Sequence, residues 1–232
     1  MSASERFDQR RRQVRSFVRR EGRMTDAQKQ ALDRLWPRYG LEAGGGVWQP
    51  AQSFGRSAPL TVEIGFGNGD HLLAMAAAQP QRDFLGIEVH RPGVGRLLLQ
   101  AETQALGNLR VACADAVEVL RDVLPAGSVD EIVIFFPDPW PKKRHHKRRL
   151  IQPEFAALLV RALQPGGRLR LATDWEDYAQ HMLTVLDAEP ELVNAAGAGG
   201  FVARPADRPP TRFETRGVRL GHQVRDLEYR RR

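Results

Sequence analysis

Glu63, Glu88, Asp115 and Asp138 each stand at or just beyond the end of a short apolar run, and the first leads into Gly65-Phe66-Gly67-Asn68-Gly69. Glycines at such a turn let a ligand approach bare backbone. The dinucleotide fingerprint needs a small residue at its sixth position, where this chain carries Asp70. A carboxylate there would sit badly beside a pyrophosphate. S-Adenosylmethionine has no phosphate; it presents a sulfonium, an amino group and ribose hydroxyls, which carboxylates and carbonyls serve. Glu88 falls where ribose hydroxyls would lie, and Asp115 where the adenine amino group would. Each acid alone reads more simply as a helix cap. Three of them on successive strands favour a methyl-donor site.

The fourth acid has the most informative surroundings. Phe135-Phe136-Pro137-Asp138-Pro139-Trp140 is followed by Lys142, Lys143, Arg144, His145, His146, Lys147, Arg148 and Arg149. Two prolines hold Asp138 in an extended, rigid turn. Trp140 offers a stacking surface for a base, and the basic run offers charge for phosphates. The paired histidines have no acid or cysteine at metal spacing, so they too read as phosphate or stacking contacts. An acid, an aromatic residue and a basic run in this order fit methyl transfer to a nucleobase. A solvated or nuclear-localisation-like stretch is the plainer alternative for the run, made less apt by its abutment to Pro-Asp-Pro-Trp.

These residues need strand ends to carry them. Strands are expected at 60–64, 83–88, 109–113, 131–136 and 168–173, and helices at 69–79, 91–106, 116–124, 152–163 and 175–188. Such alternation implies βαβ units and an α/β fold with a doubly wound, mainly parallel sheet, whose ligands bind at the carboxyl ends of the strands. Two further strands are expected near 199–203 and 223–230. Upstream, residues 1–24 read as a basic, flexible arm. Thr25-Asp-Ala-Gln28 is a capping box opening a helix that ends at Pro37. Residues 40–59 read as a Gly/Pro-rich linker, so the expected division is 1–24, 25–59 and 60–232.

The chain has 232 residues and a formal net charge of +7. The charge is segregated: residues 58–141 carry −6, while the eight residues 142–149 carry +6. An acidic body with basic segments suggests a composite surface for an anionic partner. The single cysteine, Cys113, excludes an intrachain disulfide and a multi-cysteine metal cluster. With no apolar signal segment or membrane-length run, the expectation is a cytoplasmic protein without a metal, monomeric or homodimeric.

Over residues 60–230 the chain resembles the bacterial tRNA (guanine-N7-)-methyltransferase family. The resemblance rests on Glu63-Ile-Gly-Phe-Gly67, Gly86-Ile-Glu-Val-His90, Asp115-Ala-Val-Glu-Val119, Phe135-Phe-Pro-Asp-Pro-Trp140, His145-His-Lys-Arg-Arg149, Ala172-Thr-Asp-Trp-Glu176 and Thr211-Arg-Phe-Glu214. It implies a class I S-adenosylmethionine-dependent methyltransferase fold (Rossmann-like). Glu63, Glu88, Asp115 and Asp138, with Gly65 and Gly67, would line the donor site, and Asp138 would be catalytic. Lys142, Asp174, Thr211, Arg212, Phe213 and Glu214 would contact the substrate. Arg144, His145, His146, Lys147, Arg148 and Arg149 would engage tRNA, and the implied target is guanosine 46 of the variable loop. Two rivals bracket this reading. A methyltransferase of proteins or small molecules would not need the basic run, and an inactive RNA-binding module should lack the strand-end acids.

Overall fold

The computed structural model describes residues 16–17, 22–44, 46–206, 208, 214 and 223–232. Strands β1 (Leu60–Ile64) and β2 (Asp83–Ile87) are buried at every position, as parallel strands covered on both faces must be. With β3 (Leu109–Ala112), β4 (Val129–Phe135) and β5 (Leu163–Thr173) they form a parallel core. Two more strands, β6 (Leu192–Asn194) and β7 (Arg225–Arg231), complete a seven-stranded sheet in the order β3-β2-β1-β4-β5-β7-β6. β7 runs antiparallel to both its neighbours. The order reverses between β1 and β4, and the crevice outside that switch point is where such a sheet takes its ligand.

Alternation along the strands sends side chains to two cores. On one face Val62, Ile132, Ile134 and Leu169 pack with Leu159 of α6 (Pro153–Ala162) and Met182 of α7 (Glu176–Asp187). On the other, Phe84 and Val111 pack with Leu72 of α3 (Asp70–Ala78), Leu97 of α4 (Arg91–Thr103) and Leu35 of α1 (Asp26–Tyr39). The short α2 (Pro50–Phe54) follows α1, and α5 (Ala116–Glu118) continues into a π turn at Val119–Val123. Among the described residues no helix is long and apolar enough to cross a membrane.

The expected capping box is present: the Gln28 N–H donates to Thr25 Oγ1 at 3.2 Å, and the Thr25 N–H to Gln28 Oε1 at 2.9 Å. Other boundaries differ from expectation. Helix α1 passes Pro37 and ends at Tyr39, because a proline in the last turn forfeits one hydrogen bond while Gly40 N–H still reaches Trp36 O at 2.7 Å. Strand β5 starts at Leu163 rather than 168, pairing there with Val129 across a register shift in β4. The strand expected at 199–203 contracts to one bridge, Val202 to Asp226. Its place beside β7 is taken by Leu192–Asn194, after which Asn194 Nδ2 holds Gly200 O at 3.1 Å across a glycine-rich turn. Within 40–59, Trp48 is buried in the main core and its indole N–H donates to Ser53 Oγ at 2.6 Å.

Candidate active site

Four of the expected acids meet. Glu63, Glu88, Asp115 and Asp138, from the ends of β1 to β4, line one cavity of about 1010 Å³, together with Gly65, Gly67, Phe135 and Cys113. Gly65, Gly67 and Gly69 all have positive φ, at 77°, 58° and 82°. A Cβ on Gly65 or Gly67 would meet nothing within 4 Å, so the bare loop borders open space. This cradle, its volume and its acids fit S-adenosylmethionine, whose sulfonium and ammonium are cationic and whose ribose hydroxyls and adenine amino group can donate to carboxylates.

Each of the first three acids is positioned by a partner. Glu88 Oε2 accepts from Gly67 N–H at 2.9 Å, while Oε1 accepts from Val89 and His90 N–H at 2.7 and 2.9 Å. The carboxylate thus pins the glycine loop and has lone-pair capacity left for a hydroxyl. Asp115 caps α5, accepting from Val117 N–H at 3.0 Å, so here the cap reading and cavity lining hold together. Glu63 is buried and its Oε2 lies 2.8 Å from His71 Nδ1. Sequence reasoning passes over His71. Its position on the first turn of α3 is what brings it back to the end of β1, and only the folded turn shows that.

Asp138 is exposed on its turn. The turn is held at both ends. Phe136 N–H continues the ladder to Ala172 O at 2.8 Å before the chain adopts φ +52° at Phe136 and +45° at Trp140. Bulky residues rarely take such angles, and the surroundings must impose them. Arg149 does much of this. Its Nε donates to Pro139 O at 3.0 Å, its Nη2 pairs with Asp177, and its guanidinium lies 4.9 Å from the Tyr178 ring. Arg149 is expected among the RNA contacts, but it is buried, at 2% exposure, and turned inward. The hydrogen bond from Arg149 holds the Asp177 carboxyl below its usual range, and burial pushes the Tyr178 hydroxyl up to about 12.

The rest of the basic run forms a 3-10 turn, Lys143–Arg148, on which Arg144 and Lys147 are exposed. Lys142 precedes it and is also exposed. Arg148 lies 5.0 Å over the Trp140 ring, His145 meets the same ring edge-on at 5.8 Å, and the indole N–H donates to Ser16 O at 3.0 Å. His146 Nε2 faces Arg149 Nη2 at 3.2 Å. Desolvation first, and then Arg144, Arg148, Lys142 and Lys147, hold the His145 imidazole below its ordinary value.

Asp174 follows β5 at the same edge but does not line the cavity. Thr211, Arg212 and Phe213 lie outside the described residues. Glu214 is buried, paired with Arg208 at 2.7 and 3.0 Å. No spacing in the sequence singles out Arg208, because its partners are fixed by the tertiary fold.

Residues 57–227 match a family described as "Putative methyltransferase". A tRNA (guanine-N(7)-)-methyltransferase of Leifsonia xyli subsp. xyli is 59% identical, covering 93% of this chain and 95% of its own. A protein of the same name from Alkalilimnicola ehrlichii is 57% identical over 95% of this chain and 94% of its own. Among solved structures, the 16S rRNA methyltransferase KamB superposes with a TM-score of 0.55 at 16% identity, covering 92% of this chain and 96% of its own. At that identity the likeness speaks to the fold, which is that of class I S-adenosylmethionine-dependent methyltransferases.

Proposed function

The chain belongs to the tRNA (guanine-N(7)-)-methyltransferase family, and from that premise we propose the residue roles by which it acts. It is an S-adenosylmethionine-dependent enzyme that methylates N7 of guanine in tRNA. The observation that carries the residue roles is the meeting of Glu63, Glu88, Asp115 and Asp138 around one cavity, beside an exposed basic turn.

When bound, the donor supplies an electrophilic methyl group on a sulfonium. Glu88 and Asp115 hold the nucleoside end through its hydroxyl and amino groups, and Glu63, kept in place by His71, faces the amino-acid end. Gly65 and Gly67 border the donor with backbone alone. Guanine N7 has an in-plane lone pair, so no proton must leave before attack. Asp138 therefore acts by electrostatics and orientation, stabilising the positive charge that develops on the purine. Asp174 and Lys142 orient the base and its nucleotide, with Thr211, Arg212 and Phe213 completing the contact. Arg144, His145, His146, Lys147 and Arg148 meet the phosphates. Guanosine 46 of the variable loop is the acceptor position we assign.

The test is methyl transfer from labelled S-adenosylmethionine to unmodified tRNA, followed by digestion and mapping of the labelled nucleoside. Label confined to 7-methylguanosine at position 46 supports the full reading. Label on another guanosine would discard the assigned position, and label on another base would discard the site's assigned orientation.

A further inference from the structure

Glu63 and His71 are polar side chains of kinds that seldom leave the surface. Here Glu63 is 5% exposed and His71 8%, and both line the donor cavity. His71 Nδ1 lies 2.8 Å from Glu63 Oε2. Its other ring nitrogen, Nε2, is buried and has no hydrogen-bond partner among the described residues. The second carboxylate oxygen, Glu63 Oε1, likewise takes no hydrogen bond among the described residues.

The lone Nε2 fixes which nitrogen carries the proton. A neutral imidazole has one N–H and one acceptor nitrogen. With the hydrogen on Nε2, a buried N–H would lack an acceptor, and the Nδ1 lone pair would face a carboxylate lone pair. With the hydrogen on Nδ1, the N–H donates to Glu63 Oε2 and only a ring lone pair is left unfilled. The ring is further located by Phe135, which meets it edge-on at 5.0 Å.

Glu63 differs in this from its neighbours around the cavity. Glu88 and Asp115 take their hydrogen bonds from backbone N–H groups, which are present whatever the side chains around them. Glu63 takes its bond from a side chain, so its orientation depends on which residue stands at position 71.

We propose that His71 is a positioning residue for the methyl donor: its Nδ1–H holds Glu63 Oε2 so that Oε1 faces the donor's α-amino group. The amino-acid end of the donor is then read through the imidazole, and the nucleoside end independently of it. This deepens the role given above to Glu63 and rests on it. An ammonium meeting a carboxylate makes a charge-assisted hydrogen bond, the kind most sensitive to a misplaced acceptor.

Calorimetry on the full chain with two probes separates the two ends. S-Adenosylhomocysteine carries the α-amino group, whereas 5′-methylthioadenosine has the same nucleoside and sulfur without the amino-acid chain. Leucine and asparagine branch alike at Cγ, but only asparagine places an N–H where histidine has Nδ1. His71→Leu should raise the Kd of S-adenosylhomocysteine about tenfold to a hundredfold, the scale of a hydrogen bond to a charged group. His71→Asn should recover most of that loss. Both should bind 5′-methylthioadenosine within about twofold of wild type, the tolerance expected of separate sites. Glu63→Gln should also weaken S-adenosylhomocysteine alone, and adding His71→Leu to it should lose less than the product of the single losses. Where His71→Leu fails to fold, His71→Gln takes its place with the same expectation, since its amide nitrogen falls near the Nε2 position. Unchanged S-adenosylhomocysteine affinity, equal losses for both probes, or an Asn variant no better than the Leu one would overturn the proposal. A loss in Glu63→Gln with none in the His71 variants sinks the part given to His71 alone. A Glu63→Gln variant that loses nothing sinks the parent role of Glu63, and this inference with it.

Discussion

The carboxyl edge of the sheet has two halves, built by different means. At the ends of β1 to β3, the acids are held by backbone N–H groups or a side chain from adjacent turns: Glu88 by Gly67, Val89 and His90, Asp115 by Val117, and Glu63 by His71. At the ends of β4, β5 and β7, buried guanidinium groups join separate segments through ion pairs. Arg149 ties Pro139 to Asp177, and Arg208 ties Glu214 to Asp226. Apart from the Gly67–Glu88 bond, which crosses from the turn after β1 to the end of β2, the bonds of the first half form within their own strand-turn-helix units. The charged clamps form only when β4, β5, α7 and β7 have docked. The donor half should therefore be complete without the substrate half, and variants of the two halves should separate donor binding from methyl transfer.

The largest effect expected from this division is at Asp138. An exposed carboxylate on a turn contributes little to the core, so Asp138→Ala should fold normally yet lose about 10²–10³-fold in kcat, the usual scale for removing one preorganised electrostatic group. Near-normal turnover at saturating donor and tRNA would remove Asp138 from the chemistry. It would also leave the division between halves without its chemical centre.

Glu88→Ala should follow, and in the opposite sense. Losing its carboxylate removes a hydroxyl's acceptor and leaves Gly67, Val89 and His90 N–H without theirs, so the donor Kd should rise about tenfold or more. Because that interaction serves ground and transition states alike, kcat at saturating donor should change little. Calorimetry showing unchanged donor affinity would make Glu88 a loop support only, and would break the claim that positioning and binding coincide in this half.

The same division explains what the sequence made legible. Strand–helix alternation, the glycine turn and four strand-end acids all rest on patterns within a few residues, and each is found where expected. Guanidinium clamps have no such pattern. Arg149 reads as one more member of a basic run, and nothing but its burial against Tyr178 and Pro139 sets it apart from Arg148. Arg208 lies among prolines and arginines, and its meaning depends on β7 inserting beside β5. The displaced strand near 199–203 is a similar case, since the place beside β7 goes to Leu192–Asn194, a pairing with Tyr229–Arg231 that only the fold brings together.

The RNA-facing turn refines the contrast by degree. Arg144→Ala, Lys147→Ala and Arg148→Ala together should flatten the salt dependence of tRNA affinity by roughly 0.7–0.9 in log–log slope for each phosphate left without its cation. His145→Ala should change the slope least near neutral pH, because that imidazole is held below its ordinary value and carries little charge there. Donor affinity should be unaffected in all of them. A slope unchanged by the triple substitution would move RNA docking away from this turn.

The smallest expected effect lies in the acid limb of stability, at Asp177. Its carboxyl is held below the usual range by the hydrogen bond from Arg149, and its side chain is 62% exposed, so solvent screening keeps the contribution modest. The sign follows from linkage. A carboxyl whose folded value is depressed stabilises the fold above its unfolded value, 3.8 for an ordinary aspartate, and that stabilisation is lost as pH falls through the lower folded value. Wild type should therefore melt above Asp177→Asn near neutral pH, and the two should converge as pH falls below the unfolded value. The amide of the variant still offers an oxygen to Arg149, so the turn should keep its shape and the difference should report charge alone. A melting difference that persists undiminished into acid would mean that Asp177 acts by packing. The tie between Arg149 and the Asp138 turn would then owe nothing to the ion pair that distinguishes this half of the edge.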